Sequence, residues 1–330
     1  MPLNRKLRIF LNYALGLVIF AWVSYMIYRS ILHQPHLGER WRDIRNSLVW
    51  PRSGLLLATI GLMLVNWGIE ARKWQLVVRQ LEPISFRRAY YSVLTGVSIS
   101  LNTPNRVGEY GGRILYLQPA NRLRGISLNM VTSVSQLIVT MVMGIAGLCY
   151  LLTVFTTGML GSHGLTPFWM HVILYGGTAF CTVTIVLYFR LSWLVRILES
   201  IPGMQRLKPY INVLDHYEWP LLARMLLLSA VRFVVFVTQY ILMFRLLHVE
   251  VTWVQGFWAV SVLMLILALI PTIAIAELPI RLEASKAFLN LFSPNDLGID
   301  AASFGIWIIN LIIPALLGSL LILGIKIIKE

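Results

Sequence analysis

Long uninterrupted apolar runs dominate this chain, and two of them turn polar abruptly. The runs predict membrane spans at about Ile9–Tyr28, Gly54–Ala71, Ile126–Phe155, Phe168–Phe189, Leu221–Leu247 and Ala301–Ile325. Each is near or above the roughly 20 residues needed to cross a bilayer as a helix. They are continuous rather than alternating, which excludes an outer-membrane barrel. Two further runs, Ala89–Leu101 and Val254–Ile270, are too short to span and end in breaks.

The first break is the stretch S-I-S-L-N-T-P-N-R-V-G-E-Y-G-G-R at 98–113, with Asn102, Thr103, Arg106, Glu109 and Arg113 set among Pro104, Gly108, Gly111 and Gly112. Pro and three Gly disfavour a continuous helix. A charge near the bilayer centre costs about 2.5–3.5 kcal/mol on insertion scales, so it must pair or face water. Irregular backbone at that depth is tolerated only inside protein or beside a cavity. The second break, at 270–281, holds Pro271, Thr272, Glu277, Pro279 and Arg281. Both breaks carry E-x-x-x-R, Glu109/Arg113 and Glu277/Arg281, a spacing that pairs the two ends on one helix face.

The expected architecture is therefore an all-α polytopic membrane protein, with about six full spans and two re-entrant helical hairpins. Four regions follow: 1–53 with the first span and an interfacial segment; 54–155 with tip 98–113; 156–220 with a span and an amphipathic segment; and 221–330 with tip 270–281. Lys and Arg cluster at the N-terminus, 72–88, 119–124, 190–220 and the C-terminus, whereas 156–167 has none. The positive-inside bias puts the basic regions and both termini in the cytoplasm, in a bacterial-type inner membrane. Segment 29–53 goes against that bias, with five Arg on the outer side. In this arrangement 54–155 and 221–330 have opposite orientation, and broken helices in inverted repeats point to a midplane transport site.

Composition agrees: 58% of residues are hydrophobic and 13% charged, against about 25% charged in soluble domains. The net charge of +14 comes from basic residues flanking apolar spans. It fits anionic headgroups rather than nucleic acid. Cys149 and Cys181 fall within spans, and the six His show no ligand spacing, so neither a metal nor a cofactor is expected.

At the breaks, Arg106, Arg113 and Arg281 suit a phosphate through planar paired donors. Glu109 and Glu277 would balance them or meet an amine. Helix N-termini at the breaks add N–H donors, and Pro279 suits an opening helical turn. Gly108, Gly111 and Gly112 allow close backbone approach. Equally, each Glu/Arg pair could simply neutralise itself and fix its tip. Arg232 and Gln239, seven residues apart in one span, either line the same cavity or pair across helices. Glu70, Arg72 and Lys73 are expected as interfacial anchors at a span end. Thr132, Ser133, Ser135 and Gln136 form a polar patch open to either use.

The tip N-T-P-N-R-V-G-E-Y-G-G-R, preceded by R-K-W-Q-L-V-V at Arg72–Val78, resembles the lysylphosphatidylglycerol synthase transmembrane (flippase-like) family. Its members carry an N-x-x-P-G-R-x-G-E-x-x-R-like signature and an R-W-x-x-L-L-like motif. Asn105 stands where that family often has Gly, and A-E-L-P-I-R replaces a Gly-rich, Glu-containing stretch. The resemblance implies a lipid-translocating membrane domain. Some relatives add a soluble aminoacyl-transferase domain, which is not expected here, so flipping is favoured over synthesis. The expected partners are membrane lipids as substrate, with a homo-oligomer or a separate lipid synthase possible. An intramembrane lipid-modifying enzyme and a non-transporting partner subunit are the competing readings. The absence of a nucleophile–base pair disfavours the enzyme.

Overall fold

The computed structural model describes residues 53–101, 103, 106–155, 168, 171–191, 193, 217–270 and 277–323, with Gly38 and Arg42. The expected first span, nearly all of the 29–53 segment, the 156–167 loop and most of 190–216 lie outside the described residues, as do Asn102, Pro104, Pro271 and Thr272.

The described chain is helical. Helix α1 is Ser53–Val78, α2 Phe86–Ser100, α3 Gly108–Ile114 and α4 Arg122–Val154. Helix α5, Gly177–Phe189, follows a π turn at Val172–Gly176. Then come α6 Trp219–Leu246, α7 Trp253–Leu269, α8 Glu277–Leu289, α9 Asp296–Trp307 and α10 Ile313–Leu323. A π turn at Ile308–Ile312 joins α9 to α10 in one rod.

Among the described residues, four helical rods are long and apolar enough to cross a membrane: Ser53–Val78, Pro119–Val154, Trp219–Leu246 and Asp296–Ile322. Leu174–Phe189 and Trp253–Leu269 are shorter apolar helices. The protein is thus a multi-pass membrane protein, and α2 and α7 end where the sequence pattern places breaks. Leu57, Leu64, Phe180 and Leu227 are exposed on the outside of the bundle, where acyl chains rather than water would meet them.

Element boundaries shift in two informative places. The second expected span was to end near Ala71, but α1 continues two turns to Val78, burying Trp74, Val77 and Val78. The stretch 293–300 is polar in composition, yet its loop is short, because the Asn295 side chain accepts from the Gly298 backbone N–H (2.9 Å) and starts α9 at Asp296. A local cap overrides the polar composition there.

Helix packing repeats a pattern. Each half runs long helix, short helix, break, short helix, long rod. The two leading helices, α1 and α6, pack on each other. Short helix α2 packs on α10 at the end of the other half, and α7 packs on α4 in the same reciprocal way. Small residues permit both contacts. A methyl on Gly318 would lie 2.0 Å from the Leu94 carbonyl oxygen, and one on Gly144 would lie 2.4 Å from Leu265 Cβ. Backbones this close are the way membrane helices gain packing without a hydrophobic drive between them.

Candidate functional site

The two breaks face one cavity of about 500 Å³, walled by α1, α3, α4, α6, α7, α8 and the α9–α10 rod. Its polar side chains come from sequence positions as far apart as Asn66 and Asn310.

At the first break, α2 ends at Ser100 and the seven-residue α3 begins at Gly108. Thr103 closes the gap. Its hydroxyl donates to the Ser100 carbonyl (3.1 Å) and accepts from the Gly108 N–H (2.8 Å). Thr103 was expected to bind substrate, but its hydroxyl is committed to the turn and it is not on the cavity wall. Arg106 sits in the left-handed region at φ 57°, a conformation that costs a non-Gly residue about 1–3 kcal/mol and recurs at functional sites. Gly108 and Gly112 lie tight against α2: methyls there would come within 2.6 Å of the Ile99 carbonyl oxygen and 2.5 Å of Gly96 Cα. Gly111 faces open space, so the close approach expected of it is not required.

Within α3 the expected Glu109–Arg113 pair forms, at 3.2 Å. Arg113 reaches further. It donates to Glu70 (2.9 Å) on α1 and to the Asn129 side-chain oxygen (2.8 Å) on α4. Its guanidinium also stands 5.9 Å from the Trp74 ring centre. With its side chain 2% exposed, it is a fastener for the tip. Glu70 is the hub of this cluster, meeting Arg113, Lys73 (3.3 Å) and Arg232 (3.3 Å). Glu70 and Lys73 were expected at a membrane interface. The two extra turns of α1 instead carry them into the bundle, where both are buried. Arg72, the third of that set, is on the outside and pairs with Gln75.

At the second break, α8 opens with Glu277, and Glu277–Arg281 form their pair. Arg281 also donates to the Tyr240 hydroxyl (2.5 Å) on α6. Pro279, third in α8, lies where a backbone N–H would have no intrahelical carbonyl to reach, as expected. Among the described residues, the ion pair that joins the two breaks is Arg106–Glu277, at 3.1 Å.

Arg232 and Gln239 part company. Arg232 is on the wall. It donates to Asn66 (2.7 Å) and Gln136 (3.4 Å), and lies 5.1 Å from the Trp67 ring centre. Gln239 is off the wall and donates to the Thr59 carbonyl (2.9 Å). Seven residues keep one helix face but move about 10 Å along it, which takes Gln239 past the cavity. The polar patch on α4 serves both uses: Thr132, Ser133 and Gln136 line the wall, while Ser135 pairs with Ser229 across helices (2.9 Å).

Sequence reasoning missed Asn66 and Asn310 as wall residues. They bond each other at 3.4 Å, and Asn310 sits in the π turn that interrupts the last rod. Single-turn π bulges often mark functional positions in helices. Isolated polar residues inside long apolar runs were the available signal for both. Among the described residues no cluster of His, Cys, Asp or Glu could hold a metal ion.

A search of curated proteins returns no match. The family model described as the lysylphosphatidylglycerol synthase TM region matches residues 9–276, which takes in the first break, Arg232 and α7 but stops just before Glu277. With most of its length matched, including the cavity wall contributed by α1, α3, α4 and α6, the chain belongs to the lysylphosphatidylglycerol synthase transmembrane-region family.

Proposed function

We propose that this protein moves a lipid between leaflets, its head group crossing through the cavity between the two breaks. One observation carries the reading. Four arginines and three glutamates share a 500 Å³ cavity whose frame is built from membrane-crossing rods. Intramembrane charge of that density is costly and marks substrate pathways. The charged groups would replace water around a phospholipid, aminoacyl-lipid or lipid-linked head group, while the acyl chains stay outside the bundle. The reciprocal packing of α2 on α10 and α7 on α4 supports an inverted repeat with the site at its axis. The basic flanks support a cytoplasmic-membrane location with both termini inside. The proposed role makes and breaks no covalent bond.

The test is leaflet exchange in vesicles carrying the purified full chain and an acyl-labelled lipid, read by quenching of the outer leaflet. The expected result is exchange above protein-free vesicles, reduced at least tenfold by Glu277→Gln at unchanged protein content. Exchange no faster than in empty vesicles for every head group tried rules the proposal out.

A further inference from the structure

The charges in the cavity do not balance. Its wall carries four arginines and three carboxylates, and Lys73 is bonded directly behind Glu70. Among the described residues, five cations against three carboxylates leave two positive charges in excess. The carboxylates are also engaged: Glu70 with Lys73, Arg113 and Arg232; Glu277 with Arg106 and Arg281; Glu109 with Arg113.

The hydrogen-bond inventory leans the same way. Among the described residues, three buried polar atoms on wall residues lack a partner: Trp67 Nε1, Arg113 Nε and Arg281 Nε. All three are donors. These three are buried, so a guest would meet the more open N–H groups of the wall arginines, which an oxygen-rich anion can satisfy and an ammonium group cannot. Among the four arginines Arg106 is the most open, with its side chain 38% exposed, followed by Arg232 at 19%. Arg106 gives one bond to Glu277, although a guanidinium has five N–H donors. A guest would meet these two first.

We infer that the head group carried is a phosphate ester with net negative charge and no cationic amine, received by Arg106 and Arg232. This rests on the translocation reading above. An aminoacylated or ethanolamine head group would bring an ammonium into a site already in positive excess. Its natural acceptors there would have to give up arginine partners.

The test has a binding arm and a transport arm, on the purified full chain. Thermal protection is measured with phosphatidylglycerol, phosphatidylethanolamine, lysyl-phosphatidylglycerol and inorganic phosphate, and leaflet exchange with acyl-labelled forms of the three lipids. The expected result is protection and exchange by phosphatidylglycerol at least tenfold above the two amine lipids. Arg106→Gln should reduce both about tenfold while leaving the lipid-free melting point in place. Amine lipids that protect or move equally well overturn the inference and leave translocation standing. Selective protection without movement of any lipid supports the head-group assignment and overturns translocation. Inorganic phosphate protecting as well as the lipid overturns the lipid assignment. No protection and no exchange overturns both.

Discussion

The two breaks share E-x-x-x-R but are held in different ways. The first is tied down on several sides. Arg113 reaches Glu70 on α1 and Asn129 on α4, and α3 presses on α2 through Gly112 and Gly96. Of the second, residues 270 and 277–281 are described. Arg281 bonds Tyr240 on α6, and Glu277 turns toward Arg106 on the other break. Side-chain exposure separates contacts rather than breaks: Arg113 is 2% exposed and Arg281 7%, whereas Arg106, the first break's partner of Glu277, is 38% exposed. Similar sequence spacing thus sits beside a buried post, Arg113, and a more exposed contact between the breaks, Arg106–Glu277. Neither Arg106 nor Glu277 is bonded to Glu70, so loss of their pair would leave the three ion pairs of the Glu70 hub in place.

The largest effect should come from Glu70. Glu70→Ala leaves Lys73, Arg113 and Arg232 without their shared carboxylate. Removing one partner of a buried ion pair costs about 3–5 kcal/mol. Thermal unfolding in detergent should show a large drop in the midpoint, or loss of folded protein on expression. A midpoint near that of the unaltered protein would mean the hub does not hold the first break.

Glu277→Gln should separate the two roles. Arg281 keeps its Tyr240 contact and the amide can still accept one hydrogen bond, so the stability loss should be about 1–3 kcal/mol, the scale for an impaired buried polar contact. Leaflet exchange should fall more steeply than stability predicts. If Glu70→Gln and Glu277→Gln instead lower stability and exchange in the same proportion, the contrast between the buried post and the exposed contact disappears.

A third effect lies within α3 itself. Gly112→Ala forces a methyl against Gly96 Cα at 2.5 Å and the Thr95 carbonyl oxygen at 2.8 Å, both backbone, so the helices must part. Overpacking of this kind costs about 1–3 kcal/mol. Gly111→Ala meets nothing within 4 Å and should be neutral or slightly stabilising, given Ala's helix preference of about 1 kcal/mol over Gly. Equal melting points for the two variants would refute the tight seating of the first break.

The breaks were legible in the sequence because Pro, Gly and charge inside apolar runs have few physical explanations. Both E-x-x-x-R pairs formed as their spacing implied. Glu70 was misplaced for the opposite reason. Arg72, Lys73 and nearby Arg79 look like the end of a span, and the burial of Trp74, Val77 and Val78 that extends α1 depends on helices far away in sequence. Asn66 and Asn310 meet across 244 residues. Local pattern carries no signal of such a pair. Gln239 and Arg232 shared a face by periodicity, but only the depth of the cavity along α6 decides which one lines it.

The smallest effect tests the strained residue at the contact between the breaks. Arg106 holds φ 57° while its side chain meets Glu277. Arg106→Ala and Arg106→Gly both remove that ion pair and should both depress leaflet exchange. They differ in the backbone. Ala keeps the left-handed penalty of about 1–2 kcal/mol, and Gly does not. Gly's greater freedom in the unfolded chain takes back about 0.4–1 kcal/mol. Arg106→Gly should therefore be more stable than Arg106→Ala by roughly 0.5–1 kcal/mol, seen as a small rise in unfolding midpoint at equal exchange. If Ala is the more stable of the two, the break relaxes out of the left-handed conformation once the guanidinium is gone. The Arg106–Glu277 contact, rather than the Pro and Gly around it, would then be what bends the chain there.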